Sequence, residues 1–436
     1  MAIKVLIDSD ITFSLTSNDY NMRAMARASD GRIWIAHRIA STTQILVKYS
    51  DDGGKTWTSE EAVAAATRNR YSVVLMIDSD DVPHIIYSFD AVNDEIRYVN
   101  RSGGSWSAPE TVHTAVGALS IIRACIDQNN DIHVIFREVI AGEDLHYYQR
   151  LNGTWQSREV VDADGFPHDI VADSGDRVYA VFNDAVDGLY YLRIRQTDGT
   201  WDARETISAN NTSLLTRDAA SIAIDGDDDL HVAFIEEGYA PDIGDKQVRY
   251  RKREGGTWQT NLQVEVPAEG EDMFEPILIL DTDDDAYVVY QQGTSAPNEN
   301  VYCRKVTGET VEAQVLVASI LRPGNHSSLY AGLWQRYNTK PILGSLSSSV
   351  VPSDYQPVVA LIQEDTATTY SLHFYALDYI PQVRFYQMYV KGLCLPYMDL
   401  DGTKELHVVL KNLSPTSKEV GVDGEVVVEV GYSPEA

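Results

Sequence analysis

Basic residues are scarce in this chain: 35 Lys and Arg stand against 65 Asp and Glu, giving a formal net charge of -30. So acidic a chain argues against a nucleic-acid groove or an anionic membrane face, both of which need clustered cations. Cysteine is scarcer still. Cys125, Cys303 and Cys394 are far apart, odd in number and without a CxxC pair, so neither a disulfide framework nor a zinc site is indicated. No apolar run approaches the ~18 residues of a membrane span, so no membrane insertion is expected. The first residues, "MAIKVLIDSD", lack a basic segment ahead of a long apolar stretch. If Met1 is the natural start, export by the ordinary signal-peptide route is not expected.

What is abundant points to strands. Hydrophobic residues make up 44% of the chain, and its 25 Tyr add to frequent Val, Ile and Thr. At 436 residues it exceeds what one core usually fills, so two domains or a stacking repeat are expected. Periodicity favours the repeat. The stretches "YSDDGGKTWTS", "NRSGGSWSAPETV", "RLNGTWQSREVV", "RQTDGTWDARETI" and "REGGTWQTNLQVEV" place Trp57, Trp106, Trp155, Trp201 and Trp258 at intervals of 49, 49, 46 and 57 residues. "KVTGETVEAQVLV" is a weaker sixth copy, with Val311 at the Trp position.

A second phrase precedes each of these: "ARASDGRIWIAHR", "MIDSDDVPHIIYS", "CIDQNNDIHVIFRE", "VADSGDRVYAVFND", "AIDGDDDLHVAFIEE" and "ILDTDDDAYVVYQQ". Each is an apolar strand, an Asp/Gly/Asn turn and another apolar strand, hence a hairpin. Four strands per unit follow, such as A "SVVLMID", B "HIIYSF", C "EIRYVN" and D "PETV". Antiparallel units of this size, repeated, predict an all-β chain folded as a β-propeller. Seven four-stranded blades over residues 1–380 are the first expectation and six the second. The seventh copy is "SSLYAGLWQR", "QPVVALIQED" and "YSLHFYALD", and the spare strand "IKVLID" is expected to complete it and close the ring. Residues 381–436 break the repeat but alternate well, predicting a small β module for docking or oligomerisation.

The string Ser50-Asp51-Asp52-Gly53-Gly54-Lys55-Thr56-Trp57 fits S-x-D-x-G-x-T-W. It resembles the Asp box, or BNR repeat, of sialidase-like propellers. That resemblance implies a structural turn between strands C and D, with Ser50, Asp52, Gly54, Thr56 and Trp57 as its defining residues, on the face opposite any site. Sialidases add an F/Y-R-I-P motif, three arginines for the substrate carboxylate, a Tyr–Glu nucleophilic pair and an Asp acid/base. Arg23 in Tyr20-Asn21-Met22-Arg23-Ala24-Met25 matches the motif arginine, but the Ile and Pro are absent. Arg38, Arg123, Arg137 and Arg217 are the other arginines expected near the mouth, where a set grips a carboxylate bidentately. Glu138, Asp218, Glu236, Glu237 and Tyr239 are the acidic and phenolic candidates, with Glu236 and Tyr239 completing the sialidase-like set. Some propeller lyases of uronic-acid polymers resemble the repeat too, and for that chemistry His168 and His326 are the mouth histidines.

His84, His133 and His231 recur at one register, which argues for a structural role: packing the ring and bonding a turn Asp. The acidic turns "DSDD", "DGDDD" and "DTDDD" lack EF-hand spacing; no cofactor is expected, and weak calcium binding is the exception to consider. Three function classes remain. Placed first is a non-catalytic or glycan-binding surface component, as in tail or capsid-decorating proteins of tailed viruses. Its location would be the virion or an extracellular surface; its partners a glycan or cell-surface receptor and, through the C-terminal module, other virion subunits in an oligomeric assembly. A sialidase-like glycoside hydrolase or a polysaccharide lyase comes second, and a cellular protein-interaction scaffold third.

Overall fold

A computed structural model describes residues 3–11, 24–39, 44–54, 56–59, 61–65, 73–90, 94–140, 143–210, 220–237, 246–267, 271–280, 284–293, 298–321, 358–366, 369–376, 389–390, 393–394, 407–410 and 428–431. The chain divides into two compact units, Met1–Asp378 and Tyr379–Ala436. In the second, Tyr389–Val390 pairs with Leu393–Cys394, and His407–Leu410 with Val428–Gly431, both antiparallel.

The first unit is a six-bladed β-propeller. The second blade sets the pattern: Val73–Ile77, Pro83–Asp90, Asp94–Asn100 and Glu110–Thr114 form strands A to D in antiparallel order. Strands A of the other blades are Met25–Arg27, Ala118–Ile126, Gly165–Ala172, Ala220–Ile224 and Asp272–Leu280. Strands B are Ile33–Ile39, Ile132–Ile140, Val178–Asp184, Leu230–Glu236 and Ala286–Gly293. This order puts the A–B and C–D turns at one end of every blade, and the B–C and D–A connections at the other.

The expectation of seven four-stranded blades is corrected to the second one, six. Of the seventh repeat, Val358–Thr366 pairs with Thr369–Ala376, and the N-terminal Ile3–Ile11 pairs with the latter's free edge, giving a three-stranded sheet. It touches the sixth blade through Val315–Leu321 and the first through Ile33–Ile39. The strand expected in Ser327–Arg336 lies outside the described residues.

Apolar side chains of the six four-stranded blades point to both faces of their sheets, so the core sits between blades. Ile86, Ile96 and Tyr98 of the second blade pack with Ile122, Val134 and Phe136 of the third. Ile135 and Tyr147 of the third pack with Ile170 and Phe182 of the fourth. Among the described residues, each of the five seams between successive blades one to six buries its own cluster, and burial of apolar area drives the stacking.

Candidate functional site

The A–B turns account for the acidic phrases. Their fourth residue is left-handed in all six blades: Gly31 (φ 94°), Asp81 (60°), Asn130 (64°), Asp176 (63°), Asp228 (64°) and Asp284 (64°). Asp and Asn tolerate that region better than other side chains, which is why they recur there. The leading Asp caps the turn: Asp78 Oδ1 accepts from the amides of Asp80 (2.9 Å) and Val82 (2.8 Å), and Asp127, Asp173 and Asp225 repeat the pattern. The left-handed residue reaches the preceding blade. Asp81 accepts from Ser29, Asn130 bonds Ser79, and Asp228 accepts from Ser174. Among the described residues no three His, Cys, Asp or Glu side chains gather as a metal-ligand group.

The recurring histidines complete this layer. His84 Nε2 donates to Asp78 (2.9 Å) and its Nδ1 accepts from the Tyr98 hydroxyl (2.7 Å). His133 stands likewise between Asp127 (3.0 Å) and Tyr147 (2.6 Å), and His231 between Asp225 (3.0 Å) and Tyr250 (2.6 Å). In the fourth blade Tyr179 takes the histidine's place and donates to Asp173 directly (2.8 Å). A carboxylate only accepts, so Nε2 carries the proton in the neutral ring and all three partners are satisfied.

At the C–D turn of the first blade, Ser50 Oγ accepts from the Gly54 amide (2.8 Å) and donates to Asp52 (2.8 Å). Asp52 accepts from the amide (2.9 Å) and hydroxyl (2.6 Å) of Thr56, and Trp57 Nε1 donates to the Gly54 carbonyl (3.1 Å). Gly53 and Gly54 are both left-handed, at φ 73° and 90°. Ser50, Asp52, Thr56 and Trp57 thus bond within the turn, while Asp51 accepts from Arg32 Nε (2.6 Å) outside it.

At the opposite end, Glu138, near the end of strand Ile132–Ile140, and Glu236, the last residue of Leu230–Glu236, are fully buried. Glu138 accepts from the amides of Val116 (2.6 Å) and Gly117 (2.9 Å) and from His113 Nε2 (2.8 Å). Burial pushes its carboxyl up, but these bonds more than offset that and leave it below the ordinary value. Glu236 accepts from the amides of Ala209 and Asn210 and from Asn261 Nδ2, with Arg249 Nε at 3.6 Å. Both therefore anchor the D–A connection beside them; Glu236 is the acidic member of the sialidase-like set named from sequence.

Three of the mouth candidates meet at the seam between the third and fourth blades. Arg123, buried, donates through Nε to the His168 carbonyl (2.8 Å). The Arg137 guanidinium lies over the Phe166 ring (5.2 Å to its centroid), and the Phe166 and His168 rings are 5.9 Å apart. His168 Nε2 bonds Asn183 Oδ1 (3.0 Å), and Asp169 accepts from the Ile222 amide of the fifth blade (2.9 Å). Burial holds His168 down at about 3, so its imidazole is neutral at physiological pH. Arg137 and Phe166 stay partly exposed, and the seam presents a guanidinium, a phenyl ring and neutral polar groups.

Arg38 lies in strand Ile33–Ile39, and Glu237 is partly buried just past its strand B. Arg23, Arg217, Asp218, Tyr239 and His326 lie outside the described residues. Phe166, Asn183 and Asp169 were missed from sequence. Their signal was weak: Asp169 and Asn183 interrupt the apolar runs of an inner and a second strand, Phe166 interrupts nothing, and the bulge between Pro167 and Asp169 that sets their facing is invisible in the repeat.

No protein-family model matches the chain, and no curated protein matches its sequence. Among solved structures it is similar to an ulvan lyase of a new polysaccharide lyase family, bound to -[GlcA(1-4)Rha3S]-, at 14% identity over 85% of this chain and 95% of that one, TM-score 0.56. The likeness is one of fold. A second structure of that lyase aligns at 13% identity over the same shares, TM-score 0.55. NanB sialidase from Streptococcus pneumoniae aligns at 12% over 85% of this chain and 70% of that one, TM-score 0.40, too loose to carry an argument.

Proposed function

We propose that the chain is a glycan-recognising surface component that binds saccharide at the B–C and D–A end of its propeller without cleaving it. The seam between the third and fourth blades carries this reading. Arg137 over Phe166 offers an apolar plate with hydrogen-bond donors at its edge, a surface suited to a pyranose. An acid or nucleophile must reach the bond it breaks, and Glu138 and Glu236 are enclosed by loop amides. The fold likeness supports the ligand class, since that lyase is described with a bound saccharide. Titration calorimetry with a GlcA–Rha3S tetrasaccharide and with neutral cellotetraose tests it: binding with no new reducing ends or double bonds is expected. Turnover would overturn the non-catalytic part; no binding to any saccharide would overturn the whole.

The finer reading is a virion component, tail or capsid-decorating, whose second unit docks to neighbouring subunits. The closed turn at Ser50–Trp57 supports its resemblance to Asp-box propellers. Purified particles containing the chain in symmetric copies are the expected result. A uronate lyase is the second reading, favoured by the fold likeness together with the neutral His168; absorbance from new double bonds would establish it.

A further inference from the structure

The outer strands of the six blades are alike in five cases and different in the sixth. Strands D of blades one to five are Glu61–Ala65, Glu110–Thr114, Glu159–Asp162, Glu205–Thr206 and Leu262–Glu265, none longer than five residues, and each carries a Glu. Strand D of the sixth is Val315–Leu321, seven residues reading VLVASIL, without a charge. The first four blades place their Glu four residues after the repeated Trp; the sixth has Val315 there, four after Val311.

This strand is the edge of its sheet. Its inner side pairs with Asn298–Thr307, from Leu321 opposite Asn298 to Val315 opposite Cys303, and among the described residues nothing pairs with its outer side. It touches Val358–Thr366 of the next sheet without pairing to it. An edge strand turns alternate N–H and C=O groups outward, and proteins blunt such edges by keeping them short or charging them. The first five blades do both. The sixth does neither, and its apolar side chains reach water: Leu316, 48% exposed, is the most exposed large hydrophobic residue on the described strands, and Val315 beside it is partly exposed.

Charge and symmetry decide what fits such an edge. With a net charge of -30, two copies of the chain repel wherever carboxylates are brought together, so an uncharged strip is where they can meet. A strand is also its own antiparallel complement: turned about a two-fold axis at Ala318, Val315 comes opposite Leu321 of a second copy. The same operation on any other strand D adds two carboxylates to the joint. We propose that Val315–Leu321 is a two-fold docking edge for a second copy of this chain, joining two sixth blades into one continuous antiparallel sheet. The inference is independent of what the mouth binds.

Light scattering on the full chain, over a concentration series reaching about 1 mM, tests it. Wild type is expected to approach twice the monomer mass and stop there, since one edge per copy closes the pair. Association should strengthen with salt, which screens the repulsion between two acidic copies, whereas a joint made of ion pairs would weaken. Leu316→Glu and, separately, Val315→Lys put a charge into the edge and should raise the dimer dissociation constant at least about tenfold. Both are measured in variants whose circular dichroism matches wild type. Val160→Glu, at a 41% exposed position on the already charged outer strand of the third blade, should dimerise as wild type does. A wild type that stays monomeric throughout, growth past the dimer, dissociation by salt, or edge variants that dimerise undiminished would each overturn the proposal.

Discussion

His133 shows how one side chain serves a whole repeat. It bridges a turn carboxylate and a buried phenol, and Tyr147 in turn meets Trp201 edge-on (5.3 Å) and Arg195 (4.9 Å) from the next blade. Replacing His133 with Ala leaves Asp127 and Tyr147 buried without their partner, and urea denaturation should show a loss of about 2–4 kcal/mol. His168 makes a different prediction, about pH. Its folded form titrates at about 3, below the ~6.5 of an unfolded histidine, so between those values the unfolded chain takes a proton that the folded chain refuses. Stability from this group is complete above pH ~6.5 and falls by about 2 kcal/mol by pH ~5. His168→Gln should remove that share of the acid loss. Identical pH profiles of stability for wild type and variant would contradict it.

At the scale of elements, the blades are joined by a repeated bond. A Glu on strand D meets an Arg closing strand C of the following blade: Glu61–Arg101 (3.1 Å), Glu110–Arg150 (3.1 Å), Glu159–Arg195 (2.8 Å) and Glu205–Arg253 (2.8 Å). Trp155, Trp201 and Trp258 donate to the last three of these glutamates. The tryptophan repeat is therefore a seam device: its ring covers the blade before it, and its N–H orients the ion pair. Partial exposure keeps each pair modest. A double-mutant cycle of Glu159→Gln with Arg195→Met should give a coupling of about 1 kcal/mol, reduced by salt.

For the whole molecule, ring closure falls to a strand from the far end of the sequence. Ile3–Ile11 runs antiparallel to Thr369–Ala376, from Ile3 opposite Ala376 to Ile11 opposite Tyr370. Without it, a sheet edge is left open to other chains. Deleting residues 1–11 should lower the melting temperature and produce concentration-dependent association in light scattering. A deletion variant as stable and monodisperse as the full chain would show that closure lies elsewhere.

Hairpin signals every 46 to 57 residues, the alternation of apolar side chains and the Asp-rich turns are local properties, and by themselves they determined that this chain is a propeller whose A–B turns are scaffold. They even foretold the pairing of His84, His133 and His231 with turn carboxylates, because six residues separate each His from its Asp within one hairpin. The blade count was less legible: the N-terminal strand completes the last sheet as expected, but that sheet has three strands among the described residues, because its repeat is interrupted and the strand expected in Ser327–Arg336 lies outside them. Only the tertiary structure decided which mouth residues meet. Arg123, Arg137 and His168 come together through bulges that rotate an inner strand by one residue, while Glu138 and Glu236 look catalytic in sequence but turn inward to hold loop amides. A repeat fixes what every blade shares; a site is made where neighbouring blades differ.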